Sequence, residues 1–187
     1  AEMYPEGFAT KVSVSRLSEG LCGAYRPGHF EGVATVVTKL LLQTQADSAF
    51  FGEKDYQQLS VIRRLACDLD IPVEIVGVPT VREADGLAMS SRNVRLSETA
   101  RKQAPAMAEA LRAAGAAIEA GQPVSSAVDA AKTTLLTAGY SQVEYLELRD
   151  AETLEPVSKL DRPARLLAAG WLDGVRLIDN IAVLPAH

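Results

Sequence analysis

Between Phe30 and Val78 the chain switches twice from a helical to an extended apolar pattern, and this alternation limits the fold more than any other feature. Phe30, Val33, Val37, Leu40 and Leu41 fall at helical spacing and predict a helix to about Gln45. Residues 48–51 read as a buried strand. Leu59, Ile62, Leu65, Ala66 and Leu69 mark one face of a second helix from about Asp55, and residues 73–78 form another apolar, β-branched strand. Strand, helix, strand in this rhythm predicts a parallel α/β unit with a right-handed crossover. Upstream, residues 11–15 read as a short strand and 16–23 as a helical turn or short helix. Pro27-Gly28 then punctuates a loop that includes Arg26 and His29.

After Pro79 the character changes. Residues 80–96 are polar and irregular, a candidate hinge. Ser97 can cap a helix carrying Ala100, Ala104, Met107, Leu111, Ala114 and Ile118, with Pro105 predicting a kink or restart inside it. Gly121-Gln122-Pro123 ends that helix and opens another, striped by Val128, Ala131, Leu135 and Ala138. Strands are predicted at 143–148, 165–172 and 175–184, the last two joined by an Asp173-Gly174 hairpin turn.

Composition narrows the function classes. A net charge of −5 argues against a nucleic-acid surface while leaving room for a local basic pocket. Two distant cysteines, Cys22 and Cys67, indicate neither a disulfide framework nor a zinc site, and no apolar run has spanning length. A cytoplasmic setting without membrane or nucleic-acid partners is expected.

Two segments carry chemistry. Phe50-Phe51-Gly52-Glu53-Lys54-Asp55-Tyr56-Gln57-Gln58 reads as strand end, glycine turn and helix start, the place where α/β proteins bind phosphates. A purely structural reading exists, since Asp55 with Gln58 three residues on can form a capping box. Lys54 argues for more, because the helix dipole disfavours a cation there unless an anion joins it. Met89-Ser90-Ser91-Arg92-Asn93 is a hydroxyl-rich loop with one arginine, suited to a charged phosphate, though any solvated loop has such a composition. Val33, Val36 and Val37 are most simply core contacts, and Trp171 a core or hairpin-edge residue.

Together with Tyr25-Arg26-Pro27-Gly28-His29-Phe30-Glu31-Gly32-Val33 and Arg176-Leu177-Ile178-Asp179-Asn180, these motifs closely resemble the pantoate–β-alanine ligase family. The resemblance implies a partial Rossmann-like nucleotidyltransferase domain over residues 1–80, its C-terminal half, followed by a small α+β domain over 81–187 with two helices on an antiparallel sheet. It implies an ATP-dependent ligase that forms pantoyl-adenylate and pyrophosphate from pantoate, then pantothenate and AMP on attack by β-alanine, with Mg2+ assisting. Gly52, Glu53, Lys54, Asp55, Val81, Met89, Ser90, Ser91 and Arg92 would contact ATP, and Gln58 the pantoate. Lys54, Ser90, Ser91 and Arg92 would be catalytic. The valine face of the first helix would offer pantoate's methyls an apolar wall.

The family also carries an H-x-G-H motif, and the only histidines here are His29 and His187. With the unusual start Ala1-Glu2-Met3, this predicts a chain lacking the first part of the family pattern and inactive by itself. A homodimer is expected through residues 5–20, the strand at 11–15 serving as a pairing edge. Two other readings stay open: a non-catalytic folded or dimerising piece, and an adenylyltransferase of the same superfamily that forms no amide.

Overall fold

The computed structural model describes residues 2–185, so Ala1, Ala186 and His187 lie outside it. The chain divides into two compact units, Ala1–Pro79 and Thr80–His187.

In the first unit, α1 (Cys22–Tyr25) and α2 (His29–Thr44) lead to β1 (Ser48–Gly52), a 3-10 turn (Glu53–Asp55), α3 (Tyr56–Asp68) and β2 (Glu74–Val78). The strands pair parallel, from Ser48 opposite Glu74 to Gly52 opposite Val78. Parallel strands need a long crossover, and α3 supplies it. Leu59, Val61, Ile62 and Leu65 of α3 are essentially inaccessible, as is Ala34 of α2. β1 is less buried than its composition predicts. The face with Phe51 and Gly77 turns toward α3, while Phe50 on the other face is 68% exposed. Alternation along a strand covers both faces only when both have a neighbouring layer.

Residues 11–15 form no strand. They run without a ladder partner and are tied to α2 instead, Val12 N donating to Thr35 Oγ1 at 2.9 Å and Lys11 pairing with Glu31 at 2.8 Å. An apolar–polar alternation over five residues fits an extended segment laid on a helix as well as it fits a strand. Residues 16–23 are mostly turns, with only the four-residue α1 at their end.

The second unit contains α4 (Glu98–Gln103), α5 (Ala106–Glu119), α6 (Val124–Thr137), and the antiparallel strands β3 (Gln142–Asp150), β4 (Ala164–Leu172) and β5 (Val175–Val183) in that spatial order. Ser97 Oγ accepts from Ala100 N at 3.3 Å, capping α4 as predicted. The helix breaks at Pro105, which has no N–H to continue the ladder. Tyr140 Oη donates to the Ala104 carbonyl beside that break at 2.9 Å, and burial pushes its phenol well above the ordinary value. Asp173 and Gly174 both have positive φ, 53° and 70°, the backbone a two-residue hairpin of this kind requires. Leu111, Leu135, Leu146 and Leu166 centre one continuous core between the helices and the sheet.

Asp150 at the end of β3 anchors the following loop. Its carboxylate accepts from Thr153 N at 2.7 Å, Glu152 N at 2.9 Å and Arg162 Nε at 2.7 Å. These bonds, the Thr153 amide foremost, hold its pKa at about 2. A depressed carboxylate stabilises the fold above its unfolded pKa and loses that contribution as pH falls through the folded value. Stability is therefore expected to drop between about pH 4 and about pH 2. Asp150→Asn should flatten that slope in urea melts, and Leu111→Ala should cost about 3 kcal/mol at any pH.

Candidate functional site

Parallel pairing brings the carboxyl ends of β1 and β2 side by side, and this edge is where open α/β sheets bind ligands. Gly52 closes β1 with an extended backbone (φ −67°, ψ 131°), so it is a strand end rather than the expected glycine turn. A β-carbon there would meet no atom within 4 Å, which leaves the edge open to approach. The 3-10 turn that follows carries Glu53, Lys54 and Asp55. The Lys54 side chain is only 15% exposed, with Nζ 3.7 Å from the half-exposed Asp55 carboxylate.

Asp55 precedes α3 but makes no side-chain cap bond, so the capping-box reading of Asp55 and Gln58 fails. The chain enters α3 through a 3-10 turn instead, with Asp55 at φ −95° and ψ 56°. An entry of that shape does not present the Asp55 oxygens to the first-turn amides.

Glu53 turns back over β2. A β-carbon on Gly77 would sit 3.3 Å from Glu53 Oε1, 3.0 Å from Arg63 Nη2 and 3.1 Å from Leu59 Cδ2. Gly77 thus makes room for the side chains around the turn, a role no sequence pattern signalled.

The adjacent glutamines differ. Gln58 is half-buried, whereas Gln57 is 5% exposed and holds the 17–22 segment. Its Oε1 accepts from Cys22 N at 2.9 Å, and its Nε2 donates to Leu17 O at 2.9 Å and Gly20 O at 2.8 Å.

The second group of predicted residues lies in the other unit. Residues 80–96, expected as a hinge, are a folded loop tied into that unit: Glu83 N bonds Leu87 O, Met89 N bonds Val81 O, and Arg82 bridges Ala88 in antiparallel fashion. Val81 and Met89 are 61% and 55% exposed, neighbouring apolar side chains on this loop. Ser90 shapes the turn, its Oγ accepting from Arg92 N at 3.2 Å and its carbonyl from Asn93 N at 3.0 Å. Ser91 is exposed and Arg92 half-buried. Asn93 is buried and donates to Glu83 Oε1 at 3.0 Å and Ala88 O at 3.1 Å. Asn93 and then Arg101 hold the Glu83 carboxyl below its usual range, and Arg101 does the same for Asp85.

Among the described residues, no group of three His, Cys, Asp or Glu side chains could enclose a metal, and no helix is long and apolar enough to cross a membrane.

A lysine-bearing turn follows a parallel-strand end in the α/β unit, and a serine–arginine loop lies in the α+β unit. The family model for pantoate-beta-alanine ligase matches residues 1–182, and the chain belongs to that family. A pantothenate synthetase from Chelativorans sp. is 67% identical over 183 residues, covering 98% of this chain and 64% of the relative. One from Roseobacter denitrificans is 57% identical over 187 residues, covering all of this chain and 66% of the relative. The chain thus spans just under two thirds of the length of these relatives. The crystal structure of pantothenate synthetase from Thermus thermophilus superposes with a TM-score of 0.93 at 51% identity, covering 98% of this chain and 67% of that one. That of the Francisella tularensis pantoate-beta-alanine ligase, complexed with beta-gamma ATP and beta-alanine, gives 0.75 at 33% identity, covering 96% and 60%.

Replacing Gln57 by Ala removes three hydrogen bonds of a buried amide at once. The expected loss is about 2–4 kcal/mol of stability, with faster exchange of the Cys22 amide, measured by urea denaturation and hydrogen exchange.

Proposed function

We propose that this chain carries the Lys54 turn and the serine–arginine loop of an ATP-dependent ligase that joins pantoate to β-alanine. The observation that carries this reading is the family match along residues 1–182, with Lys54 set at the carboxyl edge of the parallel pair. The Francisella relative complexed with beta-gamma ATP and beta-alanine supports the same substrates here.

In the first step a pantoate carboxylate oxygen attacks the α-phosphorus of ATP, and the bond to pyrophosphate breaks. Negative charge grows on the α-phosphate and the departing pyrophosphate. Lys54 and Arg92 meet that charge, and the Ser90 and Ser91 hydroxyls donate to phosphate oxygens. Gly52, Glu53 and Asp55 line the approach, while Val81 and Met89 offer the base an apolar surface. Gln58 offers its amide to pantoate, and the valine face of α2 packs against its methyls. In the second step the β-alanine amine attacks the acyl carbon, AMP leaves with the acyl oxygen's electron pair, and the amine gives up a proton.

The described residues form no metal cage of their own. The Mg2+ implied by the family is therefore proposed to arrive with the nucleotide phosphates, as this ion commonly does. A homodimer in a cytoplasmic setting completes the proposal. Residues 11–15 offer it no edge strand, and a dimer mass in light scattering is the expected result.

The 187 residues alone contain no H-x-G-H motif and are expected to make no pantothenate. Put in place of the matching 183 residues of the Chelativorans relative, to give a completed ligase, they are expected to do so with release of AMP. In that completed ligase, Lys54→Ala should slow adenylate formation by a factor of about 10²–10³, the loss typical of one preorganised donor. A completed ligase that transfers AMP without forming an amide would favour the adenylyltransferase reading.

A further inference from the structure

The 176–180 motif has no part in the proposed chemistry, yet its polar side chains are deeply sequestered: Arg176 is 9% exposed, Asp179 4% and Asn180 3%. Arg176 pairs with Glu144 at 2.7 Å, which also accepts from Trp171 Nε1. Asn180 accepts from Arg165. Asp179 does something different. It takes both prongs of Arg82, 97 residues away in sequence, Nη1 donating to Oδ2 at 2.6 Å and Nη2 to Oδ1 at 3.0 Å.

Arg82 stands at the base of the 89–92 loop. Its Nη1 also donates to Gly86 O at 3.0 Å, and its backbone bridges to Ala88. The next pair up, Val81 O and Met89 N, is hydrogen-bonded at 2.9 Å. One residue therefore holds β5 with its side chain and the foot of the loop with its backbone. On the far side of the loop, Asn93 is bonded to Glu83 and Ala88.

We propose that Asp179, acting through Arg82, is a positioning residue for the 89–92 loop, fixing Ser90, Ser91 and Arg92 in one arrangement before nucleotide arrives. The proposal rests on reading that loop as part of the ATP site. An exposed ion pair would be too loosely held for such a role. This one is bidentate, one carboxylate is almost wholly withdrawn from water, and breaking it strands a buried charge. Preorganised donors of this kind avoid reorganisation at the moment of reaction.

The test uses Asp179→Asn, Arg82→Gln and the conservative Arg82→Lys. In the chain itself, the Met89 and Asn93 amides should exchange about tenfold faster in Asp179→Asn and Arg82→Gln, with Arg82→Lys intermediate and the β3 amides unchanged. In the completed ligase the KM for ATP should rise by about tenfold while the KM for β-alanine stays constant. If Arg82→Gln, which strands the buried Asp179 carboxylate, does not fold, Asp179→Asn decides, because it leaves a neutral amide facing the more exposed partner. Unchanged loop exchange in a folded Asp179→Asn overturns the proposal, and so does faster exchange with an unaltered KM for ATP. The reading of the site fails by a different result: Arg92→Ala leaving adenylate formation intact. The exchange measurement still decides whether the clamp fixes the loop.

Discussion

Two parallel strands cannot be joined by a tight turn, and much of the first unit follows from that constraint. The chain must cross from the carboxyl end of β1 to the amino end of β2, and it does so as α3. The crossover packs its apolar stripe on one face of the strand pair and starts beside the ends of both strands. Gly52, Lys54 and the head of α3 are brought to that edge by topology before any particular side chain is considered. The glycine at 77 is part of the same constraint, since a helix lying this close to β2 leaves little volume for a β-carbon.

The second unit is organised by polar groups inside an otherwise apolar assembly. Leucines and alanines bring the helices and sheet together, a drive that is strong but indifferent to register. Arg176 with Glu144, Arg165 with Asn180 and Arg82 with Asp179 each demand one geometry. The apolar core makes the unit compact, and these pairs specify which turn of loop and which strand residue face one another.

Periodicity makes the main elements legible. The helices at 29–44, 56–68 and 124–137, the strand pair and the three-stranded meander all have stripes or alternations that few other structures satisfy. Pro105 and Asp173-Gly174 are readable because each restricts the backbone whatever surrounds it. Residues 11–15 mislead because alternation marks an extended chain with one apolar side, and α2 offers a surface as suitable as another strand. The Asp55–Gln58 spacing suggests a cap, but Asp55 ends the preceding 3-10 turn and makes no cap bond. Asp179 can be picked out only as part of a motif, because its partner lies in a distant loop. Lys54 and the serine–arginine loop draw a proposal of chemistry because charged residues at a strand end and in a hydroxyl-rich turn are unusual in combination.

Gln57 illustrates how narrow a buried amide can make a position. Its oxygen faces a backbone N–H and its nitrogen faces two carbonyls, so the orientation of the amide is fixed by its surroundings. A glutamate would match it atom for atom in size. The carboxylate, however, would keep the bond to Cys22 and turn an acceptor toward Leu17 O and Gly20 O, where only a donor belongs. The substitution nearest in shape is thus among the worst in charge, and hydrolysis of this one amide by chemical ageing would unfasten the 17–22 segment.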